Sequence, residues 1–194
     1  MTTLQRPDIA RDLIDRAAAA RLHHSKLTRG YPSPPEIAAG RHQDHANAGV
    51  LRRIAAEHGW PDRRLVGDDG AQAAYQIALY ADHDPDFQNA ALRLLAAALK
   101  GGQAPAGQWA HLFDRWCINT GQAQLHGTQF RRGPAGVEVV PVREPQHLDT
   151  HRARAGLPPH AAAAEAVRRR HLPTGDGDPP QAGLPDMVLV KRAA

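Results

Sequence analysis

Between Gly67 and Gly121 the chain carries three apolar stripes of helical period in succession, each fenced by start and stop residues, and this block most constrains the fold. The first stripe follows Gly67-Asp68-Asp69-Gly70, whose carboxylates suit the positive end of a helix, and is expected to run to about Asp82. Asp84-Pro85 opens the second: the aspartate caps free amides, and proline's missing N–H costs nothing at the first helical position. That helix shows Phe87, Ala91, Leu94, Leu95 and Leu99 on one face and stops at Gly101-Gly102. The third, over about 105–119, presents Trp109, Leu112, Phe113 and Trp116 and closes at Gly121.

The flanks extend the pattern. Ile9, Leu13, Ile14, Ala17 and Leu22 predict a helix over 7–24, with Pro7 in its opening turn. Gly30-Tyr31-Pro32-Ser33-Pro34-Pro35 breaks the chain, and a second helix is expected from Asp44, as N-cap, to His58. Gly59-Trp60-Pro61 stops it, because proline restricts the residue before it to extended geometry. After Gly121, Gln124 to Phe130 and the β-branched run Val137 to Val142 suggest a small hairpin around 131–136, with Pro141 on an edge strand. Short helices are expected over 145–155 and from Pro158-Pro159 to Arg170. The expected fold is mainly α: a bundle of about five to seven helices with a small β-hairpin after the fifth. It forms one domain over 1–171, followed by a disordered tail over 172–194 in which Met187 to Val190 is an apolar patch able to dock.

Composition narrows the function. The hydrophobic share is 42%, but much of it is alanine, so core identity rests on few large residues. No apolar run approaches the ~20 residues that span a bilayer, and the first residues lack a secretory layout, so no membrane partner is expected. One cysteine, Cys117, excludes an internal disulfide framework and fits a reducing cytoplasm. The net charge of +4 is spread along the chain rather than gathered beside aromatics, and the Arg168-Arg169-Arg170 cluster has no reading element around it; no nucleic-acid partner is expected.

Twelve histidines make metal the first chemistry to test. His42, Asp44 and His45 lie close in sequence, and His83 sits between Asp82 and Asp84. A metal site wants a defined ligand set, and an N-cap at Asp44 would separate His42 from His45, so no metal or other cofactor is assigned. Cys117 lies on an apolar helix face, where cysteine behaves as a small core residue. Ser25 and Ser33 are the only serines and neither sits in a nucleophile elbow. More informative are polar groups where packing alone does not require them: Tyr80 and Asp82 near the end of the third helix, Asp114 and Arg115 on the fifth, then Gln124, His126, Thr128 and Gln129. Strand alternation would send Gln124, His126 and Thr128 to one face; turned inward, they need partners, which Asp82, Asp114 and Arg115 can supply.

These residues also carry a resemblance. Asn47 with His58-Gly59-Trp60-Pro61, Leu65-Val66-Gly67, Ala81-Asp82 with Asp84 and Phe87-Gln88, Asp114-Arg115, Gly121, Gln124 and Gly127-Thr128-Gln129-Phe130 occur in a consistent order. With Asp149, Arg152 and Gly156-Leu157-Pro158 they make the chain resemble, over about 44–160, an uncharacterised bacterial family, domain of unknown function 6624. The family's usual Gln-His before Ala-Asp is Leu79-Tyr80 here, and its usual Tyr before Gly-Thr-Gln is His126. The exchange suggests that side chains 80 and 126 meet in a shared pocket. The resemblance implies no reaction.

The resulting expectation is a small cofactor-independent enzyme of hydrolase, lyase or cyclase type acting on a small molecule. His126 is the general acid/base, Asp82 or Asp114 orients it and Tyr80 assists. Arg115, Gln124 and Gln129 bind substrate oxygens, with Asn47 and Trp60 completing the binding set. The alternatives are a non-catalytic ligand-binding or interaction module, and a metal-dependent enzyme using His42, His45 or His83.

Overall fold

A computed structural model describes residues 5–29, 33–133, 136–171 and 189–190. Seven α-helices lie among them: α1 (Pro7–Arg29), α2 (Pro34–His58), α3 (Arg63–Leu79), α4 (Pro85–Lys100), α5 (Ala106–Asn119), α6 (Leu148–Arg154) and α7 (His160–His171). The hairpin follows α5 as β1 (Phe130–Gly133) and β2 (Gly136–Val139), antiparallel with Phe130 opposite Val139.

The core is built around α3, which packs on α1, α2, α4 and α5 and is accordingly apolar on nearly every side from Ala71 to Leu79. Its closest neighbour is α1, which inserts Ile9, Ala10, Leu13, Ala17 and Ala20. Small residues set that approach: a Cβ on Gly70 would fall 2.7 Å from the Val66 Cβ and 3.3 Å from the Ala10 Cα. α4 adds Phe87, Leu92 and Leu95, and α5 adds Leu112. The aromatic row of α5 is not the deepest part of that helix. Trp109, Phe113 and Trp116 are half-buried, while Asp114, Arg115 and Cys117 are enclosed.

Several boundaries differ from expectation for identifiable reasons. α2 begins at Pro34, ten residues before Asp44, because Pro34-Pro35 sits in the first turn, where proline is tolerated, and the Glu36 carboxylate accepts the Ser33 amide at 2.9 Å. Asp44 is therefore not an N-cap but a mid-helix residue. α3 begins at Arg63, with Asp62 accepting the Arg64 and Leu65 amides. The Gly67 start signal marks an internal kink instead, at φ 74 and ψ 177, a conformation that suits glycine. α3 ends at Leu79, which leaves Asp82 in the turn before α4 rather than on a helix.

Residues 124–129 are a loop with one bridge, Gln124 to Val142, and not the expected strand. β2 does lie at an edge, in a sheet of order β2-β1-β3, but it ends at Val139, so Pro141 falls outside the strand and is not what places it there. β3 (Leu189–Val190), from the apolar patch of the tail, pairs in parallel with β1. The Gly30–Pro32 break, hairpin residues Pro134-Ala135, and residues 172–188 and 191–194 lie outside the described residues. No helix among those described is long and apolar enough to cross a membrane.

Candidate functional site

Asp114 organises the region after α5. Its side chain is wholly enclosed, and the chain from Leu125 to Thr128 wraps around it. The carboxylate accepts the backbone amides of Leu125 (2.9 Å), His126 (3.1 Å) and Thr128 (3.0 Å), and the Thr128 hydroxyl at 2.9 Å. His126 Nδ1 lies 3.1 Å from Oδ1. Burial opposes ionisation of Asp114, but the His126 contact and the converging amides outweigh it and hold its pKa below the ordinary carboxylate range. An ionised carboxylate only accepts, so Nδ1 of His126 carries a proton directed at Asp114, and Nε2 is the ring nitrogen not committed to that bond. Nε2 bonds to none of the described residues, and the side chain as a whole is 7% exposed. Around the imidazole, each close to perpendicular to it, stand the rings of Trp109 (centroids 6.1 Å apart), Phe113 (6.0 Å) and His151 (6.3 Å).

From this centre a polar chain runs to the other side of α5. The Thr128 hydroxyl, while donating to Asp114, accepts Gln129 Nε2 at 3.1 Å. Gln129 Oε1 faces Arg115 Nη1 at 3.5 Å. Arg115, itself 4% exposed, grips Asp82 as a fork through Nε (2.6 Å) and Nη2. Asn119 bridges Asp82 to Gln88, both at 2.9 Å, and Gln88 caps the end of α3 through the Ala78 and Leu79 carbonyls. Partial burial opposes the Asp82 charge, yet Arg115 and Asn119 hold its pKa below normal. Asp82 keeps 37% of its side-chain surface open, so the network reaches water at that end.

Six of the nine expected site residues thus form one connected system: His126, Asp114, Asp82, Arg115, Gln129 and Gln124. The burial of 124–129 has a different cause from strand alternation, namely a carboxylate that collects the loop's amides. Gln124 is fully spent on backbone: its Nε2 donates to the Gln129 (3.0 Å) and Val140 (2.7 Å) carbonyls, and its Oε1 accepts the Gln129 amide. It anchors the loop and has no donor left for a substrate. Tyr80 stands apart from His126, stacked on His24 (3.9 Å, 11°), which pairs with Asp44 at 3.1 Å. Among the described residues the side chains at the exchanged positions 80 and 126 make no ring contact or hydrogen bond with each other. Asn47 accepts from Arg16 and Gln43 between α1 and α2, and Trp60 belongs to the apolar core, so neither joins the network.

Other residues were not visible beforehand. His24 and Asp44 meet only because α2 starts early, and Asn119 carries no sequence signal. Arg152, 3% exposed, donates to the Pro158, His126 and Gly127 carbonyls at 2.7, 2.6 and 3.3 Å; only the resemblance had marked it. His111 lies beside Asp114, Arg152 and His126, and burial lowers its pKa to about 4. Burial raises the Cys117 thiol pKa, as suits an inert core cysteine. His42 is exposed and the His45 and His83 rings stack at 3.5 Å; among the described residues no three His, Cys, Asp or Glu side chains are arranged to hold a metal ion.

His111 makes the folded state pH-sensitive. Its folded pKa lies below the unfolded value of 6.5, so it contributes stability above that pH and loses it between about 6.5 and 4, as the unfolded chain takes up the proton first. Because the ring is not fully enclosed, the loss is expected to be ~2 kcal/mol or less. His23, His83 and His160 lean the same way through burial. Urea midpoints measured from pH 7 to 5 should therefore fall, and should fall less in His111→Gln; an unchanged slope in that variant rejects the assignment.

No curated protein and no solved structure is similar to the chain. Residues 7–170 match one family, however, and with it the order of the Asp82, Asp114-Arg115 and Gln124–Gln129 segments finds its setting: the chain belongs to DUF6624, a family of unknown function.

Proposed function

We propose that the protein is a small acid–base enzyme in which Nε2 of His126 exchanges a proton with a small-molecule substrate. The observation that carries this is the pairing of a fully enclosed, ionised Asp114 with Nδ1 of an imidazole that lies against the half-buried rings of Trp109 and Phe113 and commits no other ring atom to the described residues. Asp114 fixes the tautomer and stabilises the imidazolium formed when Nε2 takes a proton. Thr128, Gln129, Arg115 and Asp82 are positioning residues that hold Asp114 and its loop in place. The chemistry this suits is proton transfer in hydrolysis, elimination or cyclisation, without a cofactor among the acting groups.

The test compares the native chain with His126→Gln by mass spectrometry of a small-metabolite extract incubated with each. Compounds consumed by the native chain should be consumed at least ~10²-fold more slowly by the variant. Equal consumption by both removes the assignment.

A second reading, a non-catalytic binding module, has its own observation. Every Asp114 oxygen is already engaged by the loop, and a groove of about 320 Å³ lies elsewhere, between α1 and α2, lined by Ile9, Asp12, Arg53, Glu57 and His58. Ligand-dependent stabilisation that is lost in Arg53 variants and unaffected by His126→Gln would favour it.

A further inference from the structure

Arg152 is held by oxygen atoms that carry no net charge. Nε donates to the Pro158 carbonyl and Nη1 to those of His126 and Gly127, and no carboxylate lies within ion-pair distance of it among the described residues. Carbonyl groups solvate a guanidinium but do not neutralise it, and a charge this enclosed normally has a counter-ion. The two acids whose charge favours the guanidinium, Asp149 and Asp114, act from beyond ion-pair distance and hydrogen-bond elsewhere. Asp149 accepts the His160 amide at 2.7 Å, and Asp114 is surrounded by the 125–128 loop. The remaining nitrogen, Nη2, bonds to none of the described residues, so two N–H donors are unspent on a side chain that is almost wholly enclosed.

The surroundings suit an anion. The His111 ring makes no hydrogen bond to the described residues and is not fully enclosed, and its main chain is tied to the same loop through Gln129. Glu144, the acid nearest His151, is bonded to that ring at 3.1 Å. Because Nη1 of Arg152 holds the carbonyl of His126 itself, an anion on the guanidinium sits beside the residue whose imidazole was assigned the proton transfer.

The geometry points to an oxyanion site on the open edge of the Arg152 guanidinium, next to the His126 main chain and within electrostatic reach of His111, taking a small carboxylate or phosphate-bearing molecule. A planar guanidinium edge meets two oxygens of either group, with strong charge-assisted hydrogen bonds. The assignment rests on the acid–base reading to the extent that the bound molecule would present its reacting atoms to His126 Nε2.

The test follows histidine ring resonances of the native chain by NMR at constant ionic strength. Inorganic phosphate and acetate are titrated separately against chloride. Saturable shifts of the His111 and His126 rings by phosphate identify a phosphate-bearing ligand, and by acetate a carboxylate. Shifts confined to exposed histidines such as His42, or equal and unsaturating responses to all three anions, overturn the proposal. Arg152→Lys keeps the charge without the fork and should bind at least ~10-fold more weakly. Undiminished binding there also overturns it. His126→Gln separates the two readings: loss of turnover with anion binding retained supports both, whereas anion binding with full turnover leaves this site standing and removes His126 as the acid/base. No saturable shift at His111 removes the anion site whatever that variant does.

Discussion

Asp114→Ala is expected to lose on the order of 4–6 kcal/mol of folding free energy, the largest effect of any single substitution considered. The alanine leaves the amides of Leu125, His126 and Thr128 and the Thr128 hydroxyl without their acceptor, in a place where the native side chain has no exposed surface. Each enclosed donor left unmade costs about 1–3 kcal/mol, and local opening of the loop would recover part of the sum. Small domains are stable by only ~5–15 kcal/mol, so the variant should be largely unfolded at modest urea, or folded with 124–129 detached from α5. Asp114→Asn separates charge from shape. It retains one acceptor oxygen but turns an NH₂ group toward donors, and should lose ~2–4 kcal/mol. Urea unfolding with amide exchange at Leu125 and Thr128 checks both. A loss below ~1 kcal/mol in the alanine variant would show that the loop is not held by this carboxylate. The acid limb carries a further sign: Asp114 has a depressed folded pKa, so its contribution is present above the unfolded carboxylate value near 3.8 and lost as pH falls through the folded one.

The helical block was legible because its signals are local. Asp84-Pro85 caps and starts α4 as read, with Asp84 accepting the Phe87 amide at 2.9 Å, and α5 occupies nearly the expected span. The start of α2 was misread because Pro34-Pro35 can break one helix and open the next, and only the reach of Glu36 back to Ser33 decides which. Composition likewise picked out Asp114, Arg115, Gln124, His126 and Gln129 as polar groups in need of partners. Who partners whom was out of reach, because it depends on how α5 is rotated. The aromatic row looked like its buried face, while the rotation adopted encloses Asp114 and Arg115 and leaves Trp109 and Phe113 half-open around His126. The pairing of Arg152 with carbonyls 25 and 26 residues earlier in the chain has no local trace at all.

Arg115→Met should cost about 3 kcal/mol, and its double-mutant cycle with Asp82→Asn should show coupling of ~1–2 kcal/mol. Two unequal losses make up the first figure. Gln129 is 1% exposed, and its Oε1 loses the Arg115 donor, which leaves an enclosed acceptor facing apolar surroundings. Asp82 loses a forked ion pair, but with 37% of its side chain open it recovers hydration and keeps Asn119, so that part falls well short of a fully enclosed pair. Arg115→Lys keeps the charge without the fork and should lose less, ~1–2 kcal/mol. The pH profile distinguishes the partners: removing Arg115 raises the Asp82 pKa toward normal, so acid destabilisation attributable to Asp82 shrinks, while the portion due to Asp114 remains. If His126 acts through a loop held by the adjacent Asp114 and Arg115 of α5, Arg115→Met also lowers turnover while His126 stays folded against Asp114, and Arg115→Lys restores part of it. Unchanged turnover in Arg115→Met, with the expected stability loss, would confine the Asp82 end of the network to holding the bundle together.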